Sequence, residues 1–255
     1  MNIKSLFSKR NYIHLYHKYK FYPKTVSTPA NRFSHYSSFR HILDYIELEQ
    51  FDKIVAVASG PSSNHIDWNK NTLYFCCNNA LKLLGKSQCK FVYTVNDDFY
   101  LYKYLKTFEA SENWLTTLFY FYVNEKTRYK RNLIWDYLNT YKREKIEFLI
   151  TNDSNNLNSK LLNDSLIDVF HKWGYEHFGV NSGFNNLVLA AVAAYSSNLP
   201  LASYGLDMGI GGEKYFDVST TLGKSIKSDF SKTKVLEFLK IIQENLKFSN
   251  YSYFK

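Results

Sequence analysis

The sequence predicts an α/β domain: a mostly parallel sheet with helices on both faces and a small lid. Three observations predict it. Short apolar, β-rich runs recur along the chain, each ends in small or polar turn residues, and helical stretches lie between them. Strands that alternate with helices imply parallel pairing, because a crossover must carry the chain back to the same end of the sheet.

The first run is Lys53-Ile54-Val55-Ala56-Val57-Ala58, closed by the turn cluster Ser59-Gly60-Pro61-Ser62. The second, Thr72-Leu73-Tyr74-Phe75-Cys76-Cys77, ends at Asn78-Asn79. The third is Lys90-Phe91-Val92-Tyr93-Thr94-Val95, ending at Asn96-Asp97-Asp98. A fourth, Ile146-Glu147-Phe148-Leu149-Ile150, runs into a polar loop. The fifth, Leu199-Pro200-Leu201-Ala202-Ser203-Tyr204, ends at Gly205-Leu206-Asp207. Between the fourth and fifth runs, Leu187, Val188, Ala191, Val192 and Tyr195 recur at helical spacing over 183–195. A closing amphipathic helix is predicted over about 232–246, with Val235, Leu236, Phe238, Leu239, Ile242 and Leu246 at helical spacing. The glycine-rich Gly209-Ile210-Gly211-Gly212 directly after the fifth run predicts the hinge of a lid over about 208–230. In parallel sheets ligands bind outside the carboxyl ends of the strands, so the polar turns are expected to converge on one crevice.

Composition sets the class around this core. Hydrophobic residues at 45% and charged residues at 22% of 255 exclude a disordered chain or a coiled coil. Three cysteines, two of them adjacent, make no disulfide framework and suit a reducing compartment. No run reaches the roughly 20 apolar residues of a membrane-spanning helix. The opening segment meets Lys9 and Arg10 too early for a secretory signal. A cytoplasmic protein is expected, peripheral at the inner face of the cytoplasmic membrane. The net charge is +9, and between Met1 and Leu43 there are eight Lys or Arg and no carboxylate. This predicts a basic, aromatic, helical arm over 1–45, ahead of a single domain over 46–255. Three uses of the arm stay open: packing its aromatics on the domain, contacting an anionic membrane, or binding single-stranded nucleic acid. No nucleic-acid-binding motif supports the last.

The turns carry the chemistry. Gly60 allows close backbone approach, and Ser62 offers a hydroxyl at a helix start, where amides favour an anion. The turn holds neither G-x-G-x-x-G nor a P-loop. Asn78 and Asn96 end neighbouring strands, where each either reads a ligand or closes an Asx turn on its own backbone. Asn181-Ser182-Gly183 opens the apolar helix, as ligand contacts or simply as an N-cap.

In this order the motifs resemble the bacterial lipooligosaccharide sialyltransferases of glycosyltransferase family 42. Those show a G-N-G-P-S-L turn, a C-N strand end, a T-S-G helix start and a G-I-D strand end. The likeness covers about 53–238, including Lys234-Val235-Leu236-Glu237-Phe238-Leu239. It implies a Rossmann-like, GT-A-like fold and an inverting, metal-independent transfer from a CMP-activated ulosonic acid, sialic acid or a Kdo-like sugar. The acceptor it implies is a surface glycan built on a lipid. No cofactor is implied beyond the donor, and a homo-oligomer is compatible. By the resemblance Ser59, Gly60, Pro61, Ser62, Asn78 and Asn96 line the CMP site. Asn181, Ser182 and Gly183 hold its phosphate or ribose, and Asp207 stands beside them. Tyr215 matches a lid tyrosine that hydrogen-bonds the leaving phosphate. Ser59 replaces the family's asparagine, Gly209 stands where a second tyrosine is expected, and Lys227 lies where the family carries its histidine base. His177 is the nearest histidine on the crevice side. Two further readings remain: a metal-dependent nucleotide-diphosphate-sugar transferase using Asn96-Asp97-Asp98, and a non-catalytic nucleotide-binding subunit of a glycan-assembly complex.

If the Tyr215 phenol donates to the phosphate as the glycosidic bond breaks, Tyr215→Phe lowers kcat by on the order of 100-fold with little change in donor KM. Steady-state kinetics on folded variant protein checks this. A wild-type kcat removes Tyr215 from the mechanism.

Overall fold

The computed structural model describes residues 12, 15, 16, 19, 43–44, 46–84, 87–95, 113–119, 172–174, 181–210 and 229–255. The expected fourth strand at 146–150 lies outside them. So do Asn96, Asp97, Asp98, His177, Tyr215 and nearly all of the expected lid.

Among the described residues six strands form one sheet: β1 (Lys53–Val57), β2 (Thr72–Cys77), β3 (Phe91–Val95), β4 (Trp114–Phe119), β5 (Leu201–Tyr204) and β6 (Phe248–Asn250). Their order is β4-β3-β2-β1-β5-β6, and every neighbouring pair is parallel. The chain steps outward from β1 to β4, then returns to the other side of β1 to begin β5. Successive crossovers from β1 and β5 therefore leave in opposite directions, which opens a crevice at their carboxyl ends. The fold is α/β and Rossmann-like. Two strands escape the periodicity reading. Trp114–Phe119 pairs with β3 at one edge, and the three-residue Phe248–Asn250 becomes a strand only through its pairing with Leu201–Ser203.

Burial on both faces explains why β1 and β2 read as continuous apolar runs and not as alternating ones. All six residues of β2 are buried, as are Ile54 to Val57 of β1. One face carries Ile54, Ala56, Leu73, Phe75 and Val92 into a core with the helix Ser182–Ser197. The strand pleat turns Val55, Val57, Tyr74, Cys76 and Tyr93 to the opposite face, and they are buried too. Among the described residues its cover includes Trp68 against Tyr74, at 4.8 Å between ring centroids, and Tyr251 stacked on Tyr204, also at 4.8 Å.

Helix α1 is the short Leu81–Leu84, α2 is Ser182–Ser197 and α3 is Asp229–Asn245. Helix α2 is buried at every position from Phe184 to Ala194, and its alanines let the sheet approach closely. It begins at an Asn181 N-cap and ends at Asn198 in the left-handed region at φ 56°. Helix α3 buries Val235, Phe238, Leu239 and Ile242 and leaves Leu236 exposed. Phe238 meets Phe184 of α2 edge-on at 5.4 Å. Leu43 and Ile46 belong to the same core cluster, so domain packing begins inside the segment expected as arm. No helix among the described residues is long and apolar enough to cross a membrane.

Burial pushes the Cys77 thiol up to about 12 from an ordinary value of 9.0, and raises Cys76 as well, with Cys77 beside it adding to the shift. Both thiols stay neutral in the fold while the unfolded chain ionises. The unfolded state then binds fewer protons between pH 9 and 12, so stability falls as pH rises through that window. Urea unfolding at about pH 8 and about pH 10 should show a loss of roughly 1 kcal/mol per pH unit per thiol above its ordinary pKa, and Cys77→Ala should flatten it. An unchanged slope in Cys77→Ala refutes the assignment.

Candidate functional site

The crevice between β1 and β5 is built around a carboxylate. Beyond β1 the ladder continues into the turn, as Ala58 N–H donates to the Tyr204 carbonyl and Gly60 N–H to the Gly205 carbonyl, both at 2.8 Å. Pro61 then opens a 3-10 turn, Pro61–His65. Its fixed φ suits that first position. Ser62 N–H donates to Asp207 Oδ2 at 2.8 Å, and its hydroxyl donates to Asp207 Oδ1 at 2.7 Å. The same hydroxyl accepts from Gly205 N–H at 2.7 Å. Tyr253 N–H, from the C-terminal tail, donates to Asp207 Oδ1 at 2.7 Å. Asp207 is 2% exposed.

Two glycines make this clasp sterically feasible. A Cβ at Gly60 would fall on the Asp207 carboxylate and the Gly205 carbonyl. Gly205 has φ +78°, where side chains are strained, and a Cβ there would meet the Ala58 carbonyl and the Ser63 hydroxyl. Gly183 has a related packing role. A Cβ on it would stand 2.9 Å from the Ala58 Cβ, so its absence seats the first turn of α2 against the end of β1.

The expected site residues thus separate into two groups. Gly60, Pro61, Ser62 and Asp207 come together as expected. The Ser62 hydroxyl and the Asp207 carboxylate, however, are buried and bonded to each other and to neighbouring backbone. Their hydrogen bonds fix the two turns, which is a positioning role. Asn181 is an N-cap: its Oδ1 accepts from Phe184 N–H at 2.9 Å, and its Nδ2 lies 3.5 Å from Met208 Sδ. Ser182 opens α2, partly exposed at the crevice.

Ser59 and Asn78 are different. Ser59 Oγ and Asn78 Oδ1 are each shielded from solvent without a hydrogen-bond partner among the described residues. Asn78 closes no Asx turn through that oxygen, although its backbone is left-handed at φ 50°. Val57 and Cys76 are paired across β1 and β2, so Ser59 and Asn78 each lie two residues past the same rung. Both orphans therefore follow directly on the carboxyl ends of adjacent strands.

Residues that sequence reasoning missed come from far along the chain. The tail Phe248–Phe254 underpins the β5 turn: Leu206 N–H donates to Ser252 Oγ at 3.2 Å, and Ser203 Oγ donates to Asn250 Oδ1 at 2.9 Å. Asn186, inside α2, donates to the Phe75 carbonyl at 2.9 Å and the Val57 carbonyl at 3.3 Å, and accepts from Thr94 Oγ1 at 2.7 Å. The Asn185-Asn186 pair inside an otherwise apolar stretch of helix was the signal for Asn186. Among the described residues no group of three or more His, Cys, Asp or Glu is placed to hold a metal ion. Compared with protein-family models, curated proteins and solved structures, the chain matches none.

Replacing Asp207 by Asn turns an amide N–H₂ toward a backbone or hydroxyl donor. Asp207→Asn should therefore destabilise the fold by about 2–4 kcal/mol in urea unfolding. Stability equal to wild type would show that the carboxylate faces a ligand instead.

Proposed function

We propose that this protein is an inverting glycosyltransferase whose donor is a CMP-activated ulosonic acid, sialic acid or a Kdo-like sugar, and whose acceptor is a surface glycan. One observation carries the nucleotide part: the orphaned Ser59 Oγ and Asn78 Oδ1 at the ends of β1 and β2. A shielded carbonyl oxygen without a partner in the chain is satisfied by a bound group that brings a donor, a nucleoside or a water. Ribose hydroxyls and the cytosine amino group bring O–H and N–H, whereas an ionised phosphodiester brings none. The nucleoside accordingly belongs over β1 and β2. The phosphate belongs at the first turn of α2, where the helix dipole favours negative charge. The order of turn motifs supplies the choice of cytidine and of an ulosonic acid.

In this reading the acceptor hydroxyl attacks the anomeric carbon from the face opposite CMP. The bond from that carbon to the phosphate oxygen breaks, its electron pair leaves with CMP, and a new C–O bond forms with inverted configuration. Tyr215 stabilises the charge that grows on the phosphate. The acceptor proton passes to a base, for which His177 is the residue to test. Asp207 holds the turns that shape the donor site and does not touch the reacting atoms.

The test uses the sign of two effects. Ser59→Ala removes a hydroxyl that has no partner, so the free protein should keep its stability or gain slightly, while CMP affinity falls about tenfold. Asn78→Ala should likewise weaken CMP. Calorimetric titration of wild type and variants with CMP, UMP and GMP measures this, and release of CMP from the activated sugar establishes turnover. Absence of CMP binding to wild type, or equal affinity in both variants, would sink the proposal.

A further inference from the structure

The N-terminal arm is helical at Tyr12, Leu15, Tyr16 and Tyr19. Spaced at i, i+3, i+4 and i+7, these four share one face of a helix. Their exposures are 72%, 56%, 49% and 86%. Tyr12, Leu15 and Tyr19 are each more than half exposed, so they are not buried against a core. A row of large apolar side chains held in water marks a surface made for a partner.

The surrounding sequence says which partner. Lys9, Arg10, Lys18, Lys20 and Lys24 lie in and around the stripe, and the first carboxylate of the chain is Asp44. We propose that this segment is an in-plane anchor that lies on an anionic membrane surface, with its tyrosine stripe at the level of the headgroups and its cations against the lipid phosphates. Three of the four stripe residues are tyrosines, whose apolar ring and polar tip suit the boundary between headgroup and acyl chain better than a dry core. The cations add attraction to anionic lipid, and no nearby carboxylate opposes it. A second copy is a poor occupant, because pairing two such arms would juxtapose eight cations on each with no acid between them. A convex helix face also lacks the groove that tracks single-stranded nucleic acid. The anchor does not depend on the catalytic reading, and either can fail without the other.

Co-sedimentation of the full chain with vesicles of phosphatidylcholine alone, and with phosphatidylglycerol added, tests this at low and high salt. Wild type should sediment with the anionic vesicles and release at high salt. The double variant Tyr12→Ser, Tyr19→Ser should weaken binding about tenfold, and Lys18→Gln with Lys20→Gln about fivefold per cation at low salt. The Tm should not change, because both tyrosines are exposed. Three outcomes each overturn the proposal: equal sedimentation of wild type and the tyrosine variant, binding to a single-stranded RNA oligonucleotide but not to vesicles, or a dimer in solution that the tyrosine variant dissolves.

Discussion

The Asp207 carboxylate is the constraint on which the candidate site depends. It accepts from Ser62, 145 positions earlier, and from Tyr253, 46 positions later, so one buried charge ties together three segments remote in sequence. A carboxylate buried without partners would be strongly unfavourable, and three short charge-assisted hydrogen bonds offset that penalty. The geometry admits no loose version. Gly60 must lack a side chain for the carboxylate to fit, and Gly205, at a positive φ, leaves no room for one either. Both turns that flank the crevice are thereby rigid before any ligand arrives, which lowers the ordering cost of binding.

A second polar element sets the helix that faces this crevice. Asn186 is fully buried, yet its side chain bonds to the sheet: two strand carbonyls and the Thr94 hydroxyl. These bonds join β1, β2 and β3 to α2 one helical turn after its N-terminus. An apolar side chain there would pack equally well but would leave those carbonyls unpaired, so the polar choice fixes register where apolar packing alone would permit sliding. With Gly183 seated on Ala58, the amino end of α2 is held at the switch point between β1 and β5.

Against this background of satisfied groups, two unsatisfied ones at the strand ends stand out. Ser62, Asp207, Asn181 and Asn186 meet their hydrogen-bonding needs within the fold, whereas Ser59 Oγ and Asn78 Oδ1 do not. A site that holds polar groups in readiness discriminates by the donors a ligand brings.

The sequence by itself determined the sheet's central strands, because burial on both faces writes them as continuous apolar runs, and the two long helices, because their apolar periodicity is local. It also determined that Gly60, Pro61, Ser62 and Asp207 sit at turns, since glycine, proline and small polar residues punctuate runs whatever the fold. Two edge strands were not legible. Phe248–Asn250 has too few apolar residues to declare itself and is a strand only because β5 offers a free edge. Tertiary structure alone decided the roles within the turns. Whether Ser62 and Asp207 face a ligand or each other depends on the close approach of segments 145 residues apart, and no spacing rule encodes that distance. The same holds for Asn78. An asparagine after a strand closes an Asx turn or waits for a ligand with equal local plausibility, and only the three-dimensional hydrogen-bond census distinguishes an oxygen already paired from one left open.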